Sequence, residues 1–156
     1  MITDVGAGRM TMSIDDSGEY WIGSEAADLD EYLRAYSASD NLVDRIVHPK
    51  CACGNATFRV RVDSEEGCAQ RICSTCESER LVCDSGEHLN DADPEEGICP
   101  CGANVFELAV GFSHRKSGGA LKWITLATRC TQCGVLGAIV DWKIDYTPTE
   151  HLYEMA

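Results

Sequence analysis

A small α+β fold stapled by metal follows from three features of the sequence: a Cys-rich phrase that occurs twice, cysteines in close pairs, and a cysteine-free N-terminal stretch with helical periodicity. CACGNATF at 51–58 returns 48 positions later as CPCGANVF at 99–106. The chain divides accordingly into an acidic helical segment over 1–47, a Cys-rich unit over 48–88, an acidic linker over 89–96, a second unit over 97–147 and a tail over 148–156. Each unit is expected to be an antiparallel three-stranded meander.

At 156 residues and 44% hydrophobic, the chain can bury one ordinary core or several modules too small to stand unaided. Its ten cysteines offer staples, as disulfides in an oxidising compartment or as metal ligands in a reducing one. The start, MITDVGAGRMTMSIDD, has neither a basic leader nor a long apolar run. No stretch approaches the roughly 20 apolar residues that span a bilayer. A cytoplasmic protein with reduced thiols is therefore expected.

Within the first segment, Ser13–Ile22 suggests a turn and a short strand. Ser24 reads as the N-cap of a helix over Glu25–Tyr36, with acidic residues in its first turns where they complement the helix dipole. Leu29, Leu33 and Tyr36 fall at i, i+4, i+7 and give it one apolar face. A second helix is expected over Asp40–Val47, stopped before Pro49. The segment is expected to pack on the first Cys-rich unit; a docking helix for a partner is the functional alternative.

Each Cys-rich unit supplies two close pairs: Cys51 and Cys53 with Cys73 and Cys76, then Cys99 and Cys101 with Cys130 and Cys133. Thiolates one or two residues apart bind one metal from a single tight turn, and two such turns complete a four-sulfur site. Gly54, Gly102 and Gly134 follow pairs directly, where the backbone must turn tightly. Between the pairs of the first unit, Thr57–Val62 alternates polar and apolar, Ser64–Gly67 is a turn, and Ala69–Cys73 returns. The second unit repeats this with Val105–Val110, a longer loop containing Ser117-Gly118-Gly119, and Trp123–Thr128. Glu79–Cys83 and Val135–Tyr146 are the third strands.

This order of knuckle, hairpin, knuckle and third strand resembles the zinc-ribbon family over roughly residues 48–146. The resemblance implies two tandem antiparallel three-stranded zinc ribbons with one zinc each. Both first knuckles are Cys-x-Cys-Gly where the family usually has Cys-x-x-Cys, a departure shared through internal duplication. Iron in a rubredoxin-like four-thiolate site is the less favoured metal, and disulfides among the eight cysteines are the less favoured chemistry. Four protein ligands close a site to water and substrate, which argues against metal catalysis.

Cys68 and Cys83 stand outside the pattern, nearly opposite each other if the strands flanking Cys73 and Cys76 pair antiparallel. Two buried core thiols are preferred to a redox-active pair, because no neighbouring lysine or helix start lowers either pKa. His48 and His88 are placed to act as substitute ligands but are not needed; His114 and His151 are expected to be exposed.

Charge separates the regions. Residues 1–48 carry ten acids and three bases, 49–83 five of each, 84–96 six acids and no base, and 97–147 three acids and five bases, within a net charge of −13. Such a chain repels phosphate over most of its surface, so free nucleic acid is disfavoured. The local exception is a basic hairpin tip with Arg115, Lys116 and Lys122, where Phe112 and Trp123 are candidate stacking platforms. No phosphate loop, Ser-His-Asp signature or His-Glu-x-x-His motif is present. The expectation is a non-enzymatic zinc module, an adaptor or inhibitor of immunity type, that binds a basic protein partner. Nucleic-acid binding by the hairpin of the second unit and thiol redox sensing through Cys68 and Cys83 are the alternatives.

Overall fold

A computed structural model of the chain describes residues 14–37, 42–85, 92–115, 120–144 and 149–156. Asp15 and Ile22 bridge antiparallel, and Ile22 also bridges Val135. The helix α1 spans Asp28–Tyr36. It starts later than expected because Ser24 does not cap it. Instead, the Asp28 carboxylate accepts from the backbone N–H groups of Ser24 (2.8 Å) and Glu25 (3.2 Å), holding 24–27 as a turn. Leu29 and Leu33 are fully buried, each burial contributing about 1.5–3 kcal/mol, whereas Tyr36 is 51% exposed.

The second expected helix is absent where it is described. Arg45–Val47 is a strand, β1, and residues 40–41 lie outside the described residues. Its run of Val43, Ile46 and Val47 is β-branched, and such side chains fit a strand better than a helix.

The remaining strands are β2 (Thr57–Asp63), β3 (Cys68–Cys73), β4 (Glu79–Leu81), β5 (Glu95–Glu96), β6 (Phe106–His114), β7 (Leu121–Cys130) and β8 (Leu136–Lys143). All belong to one antiparallel sheet in the order β4-β3-β2-β6-β7-β8. The two units therefore meet through their first strands. Thr57 pairs with Glu107 and Phe58 with Phe106. Phe58 and Phe106 close the two copies of the repeated phrase, so their mutual pairing places a local two-fold axis between the copies.

Beyond this contact β2 and β6 part, and each free edge is covered. β5 pairs with β2 at Arg61 and Val62, so the end of the acidic stretch expected as a linker is itself a strand. β1 pairs with β6 at Val110, Gly111 and Phe112.

The N-terminal segment packs on the second unit, not the first as expected. Leu29, Leu33 and Val43 form a cluster with Ala109, Ala127 and Leu136 of β6, β7 and β8. The opposite face of the sheet carries one core drawn from both units, including Phe58, Val60, Phe106, Leu126 and Trp142. The tail is part of that core: Glu150–Met155 is a 3-10 helix whose Leu152 is fully buried. Met155 O accepts from the backbone N–H of Cys83, and Phe112 packs edge-on against Tyr153.

Candidate metal centres

The two knuckle pairs of each unit are built by the same backbone bonds. Cys51 N donates to Asn55 O and Cys99 N to Ala103 O, both at 2.8 Å. Cys73 N donates to Ser78 O and Cys130 N to Val135 O, both at 3.0 Å. Gly54 and Gly102 sit at φ +96° and +95°, the left-handed turn that lets each Cys-x-Cys segment fold back.

These turns gather the eight cysteines expected as ligands into two clusters, Cys51, Cys53, Cys73 and Cys76, and Cys99, Cys101, Cys130 and Cys133. Within each cluster all four sulfurs lie within 4.8 Å of one another. The first cluster has Cys51–Cys76 at 3.5 Å and Cys53–Cys73 at 3.6 Å; the second has Cys99–Cys133 at 3.4 Å and Cys101–Cys130 at 3.6 Å. Sulfurs on a tetrahedron with metal–sulfur bonds of about 2.3 Å would be about 3.8 Å apart. A disulfide would need about 2.0 Å, and all ten cysteines are free thiols. Four sulfurs so gathered leave room for one metal ion per cluster, in a soft donor set that suits zinc or iron.

The surroundings already favour thiolate at one cysteine of each second knuckle. Burial pushes Cys73 up, but the N–H groups of Cys76 and Thr75 and the Asn55 amide outweigh it and bring the thiol down to about 5. Burial likewise opposes Cys130, which the N–H groups of Cys133 and Gln132 lower to about 7. Cys51 is lowered as well, first by the Cys53 backbone N–H, whereas Cys53 and Cys99 move the other way. The Asn55 backbone N–H lowers Cys53, yet contacts with Cys51 and Cys73 push it up to about 12. Burial raises Cys99 to about 12. A negative charge shared among four sulfurs concentrates on the one that accepts the most N–H hydrogen bonds, and a cation would be needed to deprotonate the rest.

Cys68 and Cys83 are both buried. Val82 N donates to Ala69 O, so the strands pair up to the residues beside them. There Cys83 turns into the left-handed region at φ 54°, and the two thiols face different carbonyls, Ser85 O for Cys68 and Leu152 O for Cys83. Burial raises both pKa values, with Asp84 adding to the rise at Cys83. Both shifts disfavour the nucleophilic thiolate.

The described residues flanking the basic tip differ from what the sequence suggested. Lys116 lies outside the described residues. Phe112 is fully buried and cannot stack on a base. Trp123 lines a recess with Glu65, Glu66 and Asp141 as well as Lys143, an acidic setting for a phosphate-bearing ligand. Arg115 is exposed and Lys122 half-buried.

His114, expected to be exposed, is mostly buried and joins Asp44 through Nδ1 and the Tyr153 hydroxyl through Nε2. Arg45 lies over the Tyr153 ring at 3.9 Å. These contacts fasten the C-terminal helix to β1 and β6, and nothing in the spacing of His114 signalled them. His48 bonds Asp30 at 2.6 Å, while His88 lies outside the described residues. Among the described residues no helix is long and apolar enough to cross a membrane. No protein-family model, curated protein or solved structure matches the chain.

Proposed function

We propose that the chain is a non-enzymatic binding module, stapled by two zinc ions, that docks a basic protein partner as an adaptor or inhibitor. The carrying observation is the pair of four-sulfur clusters. Cys51, Cys53, Cys73 and Cys76 would hold one ion and Cys99, Cys101, Cys130 and Cys133 the other. Bound there, zinc cross-links the two knuckles of a unit and supplies folding free energy. With four protein ligands each site is closed, so the metal's work is structural, and function falls to the surface. That surface is acidic, with a net charge of −13 before the thiolates are counted. It attracts basic proteins and repels phosphate.

The test is capture of partners by the zinc-loaded, tagged protein from its native lysate, with and without nuclease and across a salt series. A basic protein that survives nuclease and dissociates as salt rises supports the reading. Nucleic acid, or partners lost with nuclease, would transfer the function to the hairpin bearing Arg115 and Lys122. A complex indifferent to salt would remove its electrostatic basis.

A further inference from the structure

Three tyrosines, a tryptophan and a carboxylate converge on a recess of about 290 Å³ where α1 meets the segment before it. Its walls are Glu19, Tyr20, Trp21, Tyr32 and Tyr36, closed by Ala35 and Leu136. Trp21 and Tyr32 stand at 74° to each other with centroids 5.8 Å apart, and Tyr36 lies nearly parallel to Tyr32 at 6.0 Å. The rings thus form a corner, not a single stacking plane.

The framework is fixed by β8 and the second metal knuckle. Leu136 N donates to Trp21 O at 2.7 Å, Gly23 N to Gly134 O at 2.8 Å, and Ala138 N to the Tyr32 hydroxyl at 3.1 Å. Tyr20 and Tyr36 nevertheless remain 45% and 51% exposed. Leaving large aromatic surface in water is costly, and here it is concentrated in one recess.

Electrostatics selects the ligand. Aromatic faces carry negative potential and attract cations, most strongly at tryptophan. Glu19 adds a carboxylate, and residues 14–36 hold seven acids against the single base Arg34. Among the described residues, the guanidinium–ring contacts are Arg45 over Tyr153 and Arg71 over Phe58, neither of them in the recess. A corner of rings suits a rounded ammonium better than a planar guanidinium, which stacks on one face. An adjoining cleft of about 180 Å³ shares Tyr20 and Leu136 and is lined by apolar groups including Ile98, Pro100 and Ile139. It offers surface to residues flanking a cation, as a free small ion has none.

We infer that this recess binds an alkylammonium group, the side chain of a lysine on a protein partner, and more tightly as the nitrogen is methylated. The inference rests on the basic-partner reading and assigns that partner its anchor.

Choline and its uncharged isostere 3,3-dimethylbutan-1-ol separate charge from shape. With the zinc-loaded protein, choline should shift the Trp21 indole N–H resonance saturably and bind at least about tenfold tighter than the isostere. A trimethyllysine peptide with apolar flanking residues should bind tighter still. Tyr20→Ala and Glu19→Gln, both at exposed positions, should each weaken it at least about fivefold while the Trp142 indole bonded to Asp84 keeps its resonance. Equal binding of choline and isostere, or no saturable shift, would overturn the cation site. Phosphatidylcholine vesicles outcompeting the peptide would overturn the protein source. Capture with Tyr20→Ala separates the two readings: a basic partner retained undiminished sinks the anchor alone, whereas peptide binding without any captured basic partner sinks the module's proposed function and leaves the site.

Discussion

At the first cluster the Asn55 side-chain amide donates to Cys73 Sγ at 3.2 Å and ties it to Thr57 O and Ser74 Oγ. In the second cluster Ala103 occupies the corresponding place; the asparagine has moved one position on, to Asn104, and bonds Glu96. Glu77 and Gly134, the residues after the two second knuckles, both take left-handed backbone, at φ 63° and 84°. The backbone scaffolds match while their supports differ. The first clamp has the better-served sulfur and the more strained turn; the second has the relaxed turn and fewer donors. The two four-sulfur clusters thus share their turn geometry while the groups that support them differ.

The largest effect should come from breaking either clamp. Cys73→Ser and Cys130→Ser should each bind one metal equivalent in native mass spectrometry where the parent binds two, because every cluster draws its four ligands from one copy. A structural zinc contributes roughly 10–16 kcal/mol of apparent binding free energy. Either variant should therefore show a large fall in thermal stability. Loss of both metals from one substitution would mean that the Phe58–Phe106 junction couples the clamps, and the comparison would have to be made on the pair.

The turns after the knuckles give the next effect, with opposite signs in the two copies. A Cβ on Gly134 would stand 2.5 Å from Gly23 O, a backbone atom that cannot swing aside. Gly134→Ala should cost about 3 kcal/mol or more, from the left-handed strain together with the clash. Glu77→Gly should instead stabilise the first copy by about 1 kcal/mol by relieving the same strain. Urea unfolding of the metal-loaded proteins measures both. A neutral Gly134→Ala would show that the N-terminal layer does not press on the second knuckle as closely as the bond from Gly23 N to Gly134 O indicates.

Spacing alone made the two four-sulfur clusters legible, because close cysteine pairs on tight turns are a local signal. The strands were legible for a similar reason, their alternation and turn residues being local. What escaped was assembly. Thr57-Phe58-Arg59-Val60-Arg61-Val62 alternates, so β2 needs cover on one face, and its burial follows that pattern. Leu108-Ala109-Val110-Gly111-Phe112 is unbroken, and β6 is buried on both faces. That contrast was the available signal that α1 belongs over the second unit, with Ala109 and Ala127 small enough for the helix to approach. The pairing of the two units and the burial of the tail had no such signal, since edge contacts and a short 3-10 helix depend on residues far apart in the chain. The aromatic corner was hidden likewise: Tyr20, Trp21, Tyr32 and Tyr36 read as ordinary apolar positions until the loop and helix bring them together.

The smallest effect bears most directly on why the clamps differ. Protons compete with metal for thiolates, so a cluster whose cysteines ionise at lower pH holds its ion to lower pH. Cys73 is brought down to about 5, whereas Cys130 reaches only about 7 and its neighbour Cys133 is pushed up, chiefly by burial. On acidification the second clamp should therefore release first, giving two steps in a chelator assay. The same sign applies to the metal-free fold: a thiol lowered from 9.0 to about 5 adds stability that is complete above pH 9 and lost as pH falls towards 5. Asn55→Ala removes one of the donors to Cys73 and should move the first step towards the second, to higher pH. Ala103→Asn should do the converse, since Cys99 N bonds Ala103 O at the distance at which Cys51 N bonds Asn55 O. If both substitutions leave the steps in place, the amide is a packing element of its turn, and the steps differ through the burial of Cys133 and not through Asn55.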